Sequence, residues 1–467
     1  MDKCPDEVLV KICAHMDFPS LANLRLLNKR LAEVGAEALV KRVRFHCTED
    51  SLRRLHAISR HHVFAKYVDT VVFEGNLLAS VHCVHTYQNH YELEHHQMER
   101  PAQPRKGATD RERRLYERNM AKFNREIEKK FKRYLDLYNK QQKVLQSTAY
   151  ADFISSSMTS FPKLNKLVLS TVGRCKHVLS GRFLESFTAD CAMPIEQDTS
   201  FTKDQLSHLL FPRGQPLTHL GTLEVHVLSP KFFTGFVPAD LICCAFQNLK
   251  VIDLNFRLEK DDRISLDIMT ARRCYEDFTK NGCLRAALSA ARDLEQLTIN
   301  FDDYGYYGPV TSLETILGSN TWPHLSVLNV DCMTTTEDYF LRTLEGQPSL
   351  RDLRMGFMTL EEGSWPEATR RMRKDLNLNI FMACGILEDP DQMYPMHLLD
   401  TEAYVEDHHH FTLSDALALY VTDEFGIPEE EDYHPLLDDD FNDEETLREE
   451  YGPFADDDDP SDMDCSD

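Results

Sequence analysis

The chain has 467 residues, of which 42% are hydrophobic, so it is long enough and apolar enough to bury a large core. Its formal net charge of −25 is uneven, because residues 429–467 hold 19 acidic side chains and one basic one. The tail thus carries −18 and the remaining 428 residues only −7. This balance argues against non-specific nucleic-acid binding by the chain as a whole, since such binding depends on Lys and Arg.

Cysteine usage and hydropathy limit the cellular setting. The 13 cysteines are scattered and include no CxxC pair, which is typical of a reducing compartment rather than of a disulfide framework. No stretch approaches the ~18 consecutive apolar residues of a membrane span. We therefore expect an intracellular protein, cytoplasmic or nuclear, without a membrane partner.

The first forty residues predict three short helices. Pro5 suits the first turn of a helix, and Asp6 and Glu7 suit its positive end. Ser20 can cap a second helix after the break at Pro19. Apolar residues lie at helical spacing in all three: Val8, Leu9, Ile12, Cys13 and Met16, then Leu21, Leu24 and Leu27, then Leu31, Val34 and Ala38. So much apolar surface in so short a module indicates either that the module docks on the rest of this chain or that one face is kept for another protein.

The segment CPDEVLVKICAHMDFPSLANLRLLNKRLAEV resembles the F-box, whose usual form begins L-P-x-E-(I/L)-L and continues through L-x-x-(L/I)-R to K-R. The matching residues are Pro5, Glu7, Leu9, Ile12, Asp17, Leu21, Leu24, Arg25, Leu27, Lys29 and Arg30. Cys4, Met16 and Asn28 depart from the pattern. In this family the F-box binds a Skp-type adaptor, which joins it to a cullin–RING ubiquitin ligase. The resemblance implies that five residues bury themselves in the adaptor: Pro5, Leu9, Ile12, Met16 and Leu21.

A long amphipathic helix with a basic face is predicted within residues 100–143. This segment holds 15 Lys/Arg and six Asp/Glu, a net charge of +9, and its apolar residues recur at helical spacing. Three interpretations of the basic face stay open: a solvated surface, a contact with the acidic tail, and a nucleic-acid or anionic-membrane surface. We favour the first and expect no nucleic-acid partner.

The form L-x-x-L-x-L recurs six times in the middle of the chain, and a seventh segment fits it loosely. Each segment is short, alternating and rich in β-forming residues, which is typical of the strands of a leucine-rich-repeat solenoid. Their spacing of 25 to 56 residues is uneven, as in many fungal F-box proteins that this chain resembles. We predict an irregular leucine-rich-repeat-like α/β solenoid, with an ordinary α/β domain as the alternative. The segments begin at Leu164, Leu220, Leu249, Leu294, Leu325 and Leu350, and the loose one at Val68.

Positions between the leucines of such strands point to the open, concave face, because strand side chains alternate. Concave faces of this kind bind protein partners. Polar side chains at these positions are our candidate substrate-binding residues: Glu224, His226, Asp253, Asn255, Asn300, Asp331 and Arg354. Acidic residues outnumber basic ones on this predicted face, a slight preference for a basic ligand.

No motif of catalysis or cofactor binding occurs in the sequence. It contains no Gly-rich phosphate loop, no GxSxG and no HExxH, and its His and Cys residues lack recognised zinc spacing. We therefore expect no catalytic residue, no cofactor and no metal site, and hence no enzyme. The self-repelling tail predicts disorder. A solubilising role for the tail and anchoring on a partner both stay open.

These patterns predict five segments: an F-box over 1–43, a helical linker region with the basic helix over 44–160, a repeat-like domain over 161–385, a C-terminal capping segment over 386–428, and a disordered acidic tail over 429–467. The resemblance implies a substrate-recognition subunit of an SCF-type (Skp adaptor–cullin–F-box) E3 ubiquitin ligase, which recruits a protein through the repeats. The alternatives are a scaffold, or an acidic-tailed protein that binds basic partners, without ubiquitin transfer.

Overall fold

The structure is a computed structural model that forms two compact units, Met1–Arg292 and Asp293–Asp467. The residues that it describes are 4–81, 83–94, 101–105, 108–170, 195–196, 199–235, 237–259, 268–301, 311–390, 396–398, 413–422 and 434–437. The predicted domain bounds stay a prediction. No helix in these ranges is long and apolar enough to cross a membrane.

The first unit opens with an N-terminal helical module of three helices: α1 Asp6–Ala14, α2 Phe18–Leu24 and α3 Lys29–Val40. The cap of α2 differs from the prediction: Asp17, not Ser20, is the N-cap residue, and its carboxylate accepts from the Ser20 amide at 3.2 Å. Asn28, a departure from the F-box pattern, caps α3 by accepting from the Leu31 amide at 2.8 Å. Side-chain oxygens at these positions satisfy amides that the helix leaves without partners.

Five parallel strands follow in the first unit, in the order β1–β2–β4–β6–β7. Their bounds are β1 Arg42–His46, β2 Thr70–Glu74, β4 Lys166–Ser170, β6 Thr222–Leu228 and β7 Val251–Phe256. Two short strands, β3 Leu77–Leu78 and β5 Ile195–Glu196, pair antiparallel with each other. Equivalent apolar residues stand opposite one another across the five parallel strands and are buried: Val43, Val71, Leu167, Leu223 and Ile252.

Helices lie between these strands in the chain, as parallel pairing requires. They are α4 Glu49–Arg60, α5 Val84–Glu94, α6 Asp110–Leu145, α7 Thr148–Met158, α8 Thr199–Leu210, α9 Ala239–Phe246, α10 Ile268–Lys280 and α11 Cys283–Ala290. The predicted long basic helix is confirmed as α6, which spans 36 residues and begins with a capping box between Thr109 and Glu112. Its apolar side packs on α5 and β3, where Phe123, Ile127 and Tyr134 are buried.

The second unit has four parallel strands in the order β8–β10–β11–β12. These are β8 Gln296–Phe301, β10 Val327–Thr336, β11 Asp352–Glu362 and β12 Ile380–Glu388, with β9 Thr311–Ser312 beside β10 and β13 Met396–Leu398 antiparallel to β12. Its helices are α12 Leu313–Leu317, α13 Glu337–Glu345, α14 Trp365–Asp375 and α15 Leu413–Val421. Leu297, Leu328, Leu353 and Phe381 form a second buried row in register.

All seven predicted repeat segments are strands, and the fold is a mixed α/β structure with parallel sheet and N-terminal helices. The tail differs from the prediction at its described residues. Pro435–Leu437 form a 3-10 turn in which Leu436 is buried, because they pack against α14 and α15. His434, also buried, places its Nε2 2.8 Å from Oγ1 of Thr369. The other predicted tail residues, 429–433 and 438–467, lie outside the described ranges.

Candidate functional site

Helix α1 divides its apolar residues between two faces. Leu9 and Cys13 point into the core of the helical module, where they are 2% and 1% exposed. Val8 and Ile12, one turn apart on the other face, are 45% and 44% exposed. Pro5 lies one turn before Val8 and is also exposed. The module therefore buries one stripe itself, and the described residues leave the other uncovered.

The burial corrects two of the five predicted adaptor-contacting residues. Leu9 and Leu21 do not face outward, because they pack with Leu24 and Leu31 to form the core of the module. Met16 is half-buried at the edge of that core. Pro5 and Ile12 are on the surface, as a contact with a partner requires. Helical spacing alone did not separate the two sets, because both stripes of α1 are apolar.

Two further apolar residues are exposed beside α1 and were not predicted as contacts. Leu26 is 84% exposed and Leu27 67%. Leu27 was expected to share a buried face with Leu21 and Leu24, but α2 ends at Leu24 and the helical spacing no longer applies beyond it. The sequence signal that could have identified Leu26 and Leu27 as exposed is that each is a large apolar residue just after the last turn of a helix.

Arg30 links the start of α3 to the start of α1. Its guanidinium donates to the Cys4 carbonyl and pairs with the Asp6 carboxylate at 2.7 Å, so the start of α3 lies beside the start of α1. Because Leu26 and Leu27 directly precede α3, they lie at the same end as Pro5. We call the set Pro5, Val8, Ile12, Leu26 and Leu27 the exposed apolar surface.

The helical module is fastened to the sheet of the first unit. Only Lys41 separates α3 from β1, and its carbonyl accepts from the Asp69 and Thr70 amides at 3.0 and 3.1 Å. Arg25 adds a second link, since its guanidinium lies 4.4 Å from the ring centroid of Phe64. The helical module is therefore tied to the rest of the first unit at two places.

Gly35 makes room for the Arg25 side chain. A Cβ at this position would lie 2.8 Å from Cγ of Arg25, so the helix tolerates a glycine in its middle for the sake of that contact. The Arg25 Nε donates to the Ala32 carbonyl at 3.1 Å. Burial lowers the pKa of Arg25 from its usual value.

The predicted strand-face residues fall into two groups, one in each unit. In the first unit Glu224 and Asp253 stand opposite each other on β6 and β7, and both are half-buried between fully buried aliphatic residues. Glu224 is paired with the Lys166 ammonium, which offsets part of the predicted acidic character. His226 is half-buried as well.

Asn255 is the exception, because it is only 5% exposed and its Nδ2 donates to Oδ1 of Asp253 at 2.9 Å. The expectation that Asn255 lies on an open face is therefore wrong.

In the second unit Asn300 and Asp331 stand opposite each other on β8 and β10. Arg354, on β11, forms a two-pronged contact with Asp352 at 3.0 and 2.9 Å. Hydrogen bonding to that carboxylate raises the pKa of Arg354. These three residues are half-buried, so the alternation predicted for the strands is present here too. Their contact with a substrate stays a prediction.

Within the described ranges, no group of three or more His, Cys, Asp or Glu side chains is placed to hold a metal ion.

Comparison with known proteins assigns the helical module to a family. Residues 1–34 match the family model of the F-box domain, which covers α1, α2 and the start of α3. The chain therefore contains an F-box domain at residues 1–34, as its sequence pattern predicted. No curated protein matches the chain. The match lies over the exposed apolar surface, so the residues with an identified family carry uncovered apolar side chains.

Proposed function

We propose that this protein is a substrate-recognition subunit of an SCF-type E3 ubiquitin ligase. The observation that carries the proposal is the exposed apolar surface on residues that match the F-box. F-box domains typically bind Skp-type adaptors, and burial of Val8, Ile12, Leu26 and Leu27 against such a partner would remove a large apolar area from water. The adaptor in turn supplies the link to a cullin.

The mechanism is proximity and not catalysis by this chain. The F-box is fastened to the sheet through Lys41 and through the contact of Arg25 with Phe64. A protein held on the sheet therefore stays at a fixed position relative to the adaptor. Fixed positioning raises the effective concentration of the substrate lysine at the enzyme that transfers ubiquitin.

We further propose that the strands belong to an irregular leucine-rich-repeat-like solenoid whose half-buried polar positions contact the substrate. The support is the register: equivalent apolar residues repeat from strand to strand, and polar residues alternate with them. Asp253→Lys should then weaken capture of the substrate and leave adaptor binding unchanged. Asp240→Lys, at an exposed position on α9, is the control with the same charge change.

The test of the ligase role is co-purification of a Skp-type adaptor and a cullin with the full chain. Ile12→Asp should abolish the capture of both, because it places a charge on apolar surface that the adaptor covers. Ile380→Asp is a matched control, since Ile380 is 45% exposed on β12 of the other unit. Adaptor capture that survives Ile12→Asp would contradict the proposal.

Cullin capture and ubiquitin transfer separate the ligase from a scaffold. A ligase subunit brings down adaptor and cullin together, and the reconstituted complex transfers ubiquitin to a protein captured by the sheet. An adaptor complex that lacks cullin, or one that transfers no ubiquitin to the captured protein, would favour the scaffold.

A further inference from the structure

Helix α6 carries a continuous row of basic side chains on one face. Its members recur every three or four residues, which keeps them on one line along an α-helix. We call them the basic stripe: Arg111, Arg114, Arg118, Lys122, Arg125, Lys129, Lys132, Lys140 and Lys143. All nine are exposed. The stripe spans 33 residues, or about 50 Å at the rise of an α-helix.

The stripe is almost free of acidic residues. Asp136 occupies its single gap and pairs with Lys140 at 2.7 Å. Glu126 lies beside the stripe, four residues after Lys122 and three before Lys129, and Glu112, Glu117 and Glu128 lie about a quarter-turn or more away. The stripe is therefore a predominantly positive line about nine turns long.

A cavity of about 1000 Å³ adjoins the C-terminal end of the stripe. Lys140 and Lys143 of α6 form one side of its rim, and Arg53 and Arg54 of α4 form the other. Two carboxylates of α4 also line it, and one of them, Glu49, pairs with Arg53. The rim thus holds four cations and two anions.

Apolar side chains form part of the wall of this cavity, beside the polar side chains of Thr48 and Gln141. Leu52, Leu78 and Tyr150 are buried side chains of its wall, and Leu137 and Val144 are half-buried. His46 also lines the cavity, and burial, together with the nearby Arg54 charge, lowers its pKa to about 3. The ring is neutral at physiological pH and adds no charge. A pocket with apolar wall residues and a basic rim fits an apolar group that is flanked by anions.

We propose that the basic stripe and this cavity form a binding surface for an acidic polypeptide segment with an aromatic or aliphatic anchor residue. Carboxylates of the segment pair with the stripe, and the anchor enters the cavity between α4 and α6. The proposal goes beyond the ligase role and does not depend on it, because binding here needs neither adaptor nor ubiquitin.

Single-stranded nucleic acid fits this surface less well. Such ligands rely on aromatic side chains on which their bases stack. Every residue of α6 is described, and its aromatic residues lie on the side opposite the stripe, with Phe123 and Tyr134 buried.

A membrane also fits poorly. Insertion of an amphipathic helix needs an apolar face that is open to lipid. The apolar face of α6 is covered, since it packs on Leu78, Val81 and Tyr87.

The test is fluorescence anisotropy on the full chain with a fluorescein-labelled peptide of six glutamates, one phenylalanine and six glutamates. The peptide should bind, and rising NaCl should weaken the binding because the stripe is solvent-exposed. A peptide with serine in place of phenylalanine should bind more weakly. Absence of binding by the phenylalanine peptide would overturn the proposal, and equal binding of the two peptides would overturn the assignment of the cavity.

Charge-reversal variants locate the site. Arg118→Glu with Lys122→Glu should weaken binding of the phenylalanine peptide by about tenfold, because each exposed ion pair contributes modestly to affinity and charge reversal adds repulsion. Arg285→Glu with Arg292→Glu changes the net charge by the same amount at exposed positions away from α6 and should leave the affinity unchanged. Equal weakening by both double variants would contradict a localised site.

A cavity-filling variant tests the anchor separately. Ser147 lines the cavity, is exposed, and makes no side-chain hydrogen bond as the N-cap residue of α7, so Ser147→Trp fills space without breaking a contact. It should abolish the difference in affinity between the two peptides, whereas Ser147→Ala should preserve it. A 20-nucleotide single-stranded RNA, a 20-base-pair RNA duplex and phosphatidylserine vesicles complete the assay. Stripe-dependent binding of any of these that is tighter than that of the phenylalanine peptide would overturn the proposed occupant.

Discussion

Shortening side chains on the two faces of α1 should affect two different properties, adaptor binding and stability. Val8→Ala with Ile12→Ala removes side chains that are 45% and 44% exposed, whereas Leu9→Ala removes one that is 2% exposed. The first variant reduces the area of the exposed apolar surface, and the second leaves a cavity in the core of the F-box. We expect the first to weaken adaptor binding at unchanged stability and the second to lower stability.

The magnitudes follow from the areas involved. Full burial of a Val or Ile side chain contributes about 1.5–3 kcal/mol. With somewhat less than half of each side chain left for a partner to cover, each contributes about 1 kcal/mol, and the pair about thirtyfold in Kd. Leu9→Ala leaves a cavity among Cys13, Leu21 and Leu24, which costs about 2–5 kcal/mol of folding free energy.

Isothermal titration calorimetry with a Skp-type adaptor measures the first effect, and thermal denaturation of the full chain measures the second. The double variant should keep the wild-type Tm, because alanine is a good helix former at exposed positions. A double variant that binds the adaptor with wild-type affinity would refute the assignment of the exposed stripe. A Leu9→Ala variant with wild-type Tm would refute the assignment of the buried one.

Three further variants test local interactions within the units. The pKa of His434 is lowered to about 4 by burial and by the charge of Arg370, below its unfolded value. As pH falls from about 6.5 to 4, the unfolded chain therefore binds more protons than the folded one, and the free energy of unfolding falls by about 3 kcal/mol. His434→Gln removes this effect, so its Tm should fall less steeply with decreasing pH than that of the wild type. Gly363→Ala should lower Tm more than Gly235→Ala. Their φ angles are alike, +96° and +102°, but only the former Cβ meets a neighbour, at 2.4 Å from the Glu337 Cβ. Asn28→Ala should cost about 1 kcal/mol in chemical denaturation by removing the α3 cap, with Asn23→Ala as an uncapped control; equal losses would contradict the capping role.

The strands show how much of the fold an alternating apolar pattern predicts. All seven L-x-x-L-x-L-like segments are strands, because two apolar positions separated by one residue point to the same side of a strand. β1 and β12 were not predicted, since Arg42–His46 and Ile380–Glu388 lack the leading leucine of the pattern. Their place in the sheets comes from pairing with β2 and β11, which is a long-range contact.

The sequence alone determined that the first residues form an F-box, that strands with regularly spaced apolar residues follow, and that a basic helix precedes most of these strands. Each of these features depends on the spacing of residues that are close together in the sequence. Only the tertiary structure decided which apolar side chains remain outside. Leu9 is covered and Ile12 is not, because the neighbouring helices α2 and α3 pack against one side of α1. The cavity beside the basic stripe has the same origin, since Arg53 and Lys143 lie 90 residues apart in the chain and meet only when α4 packs near α6.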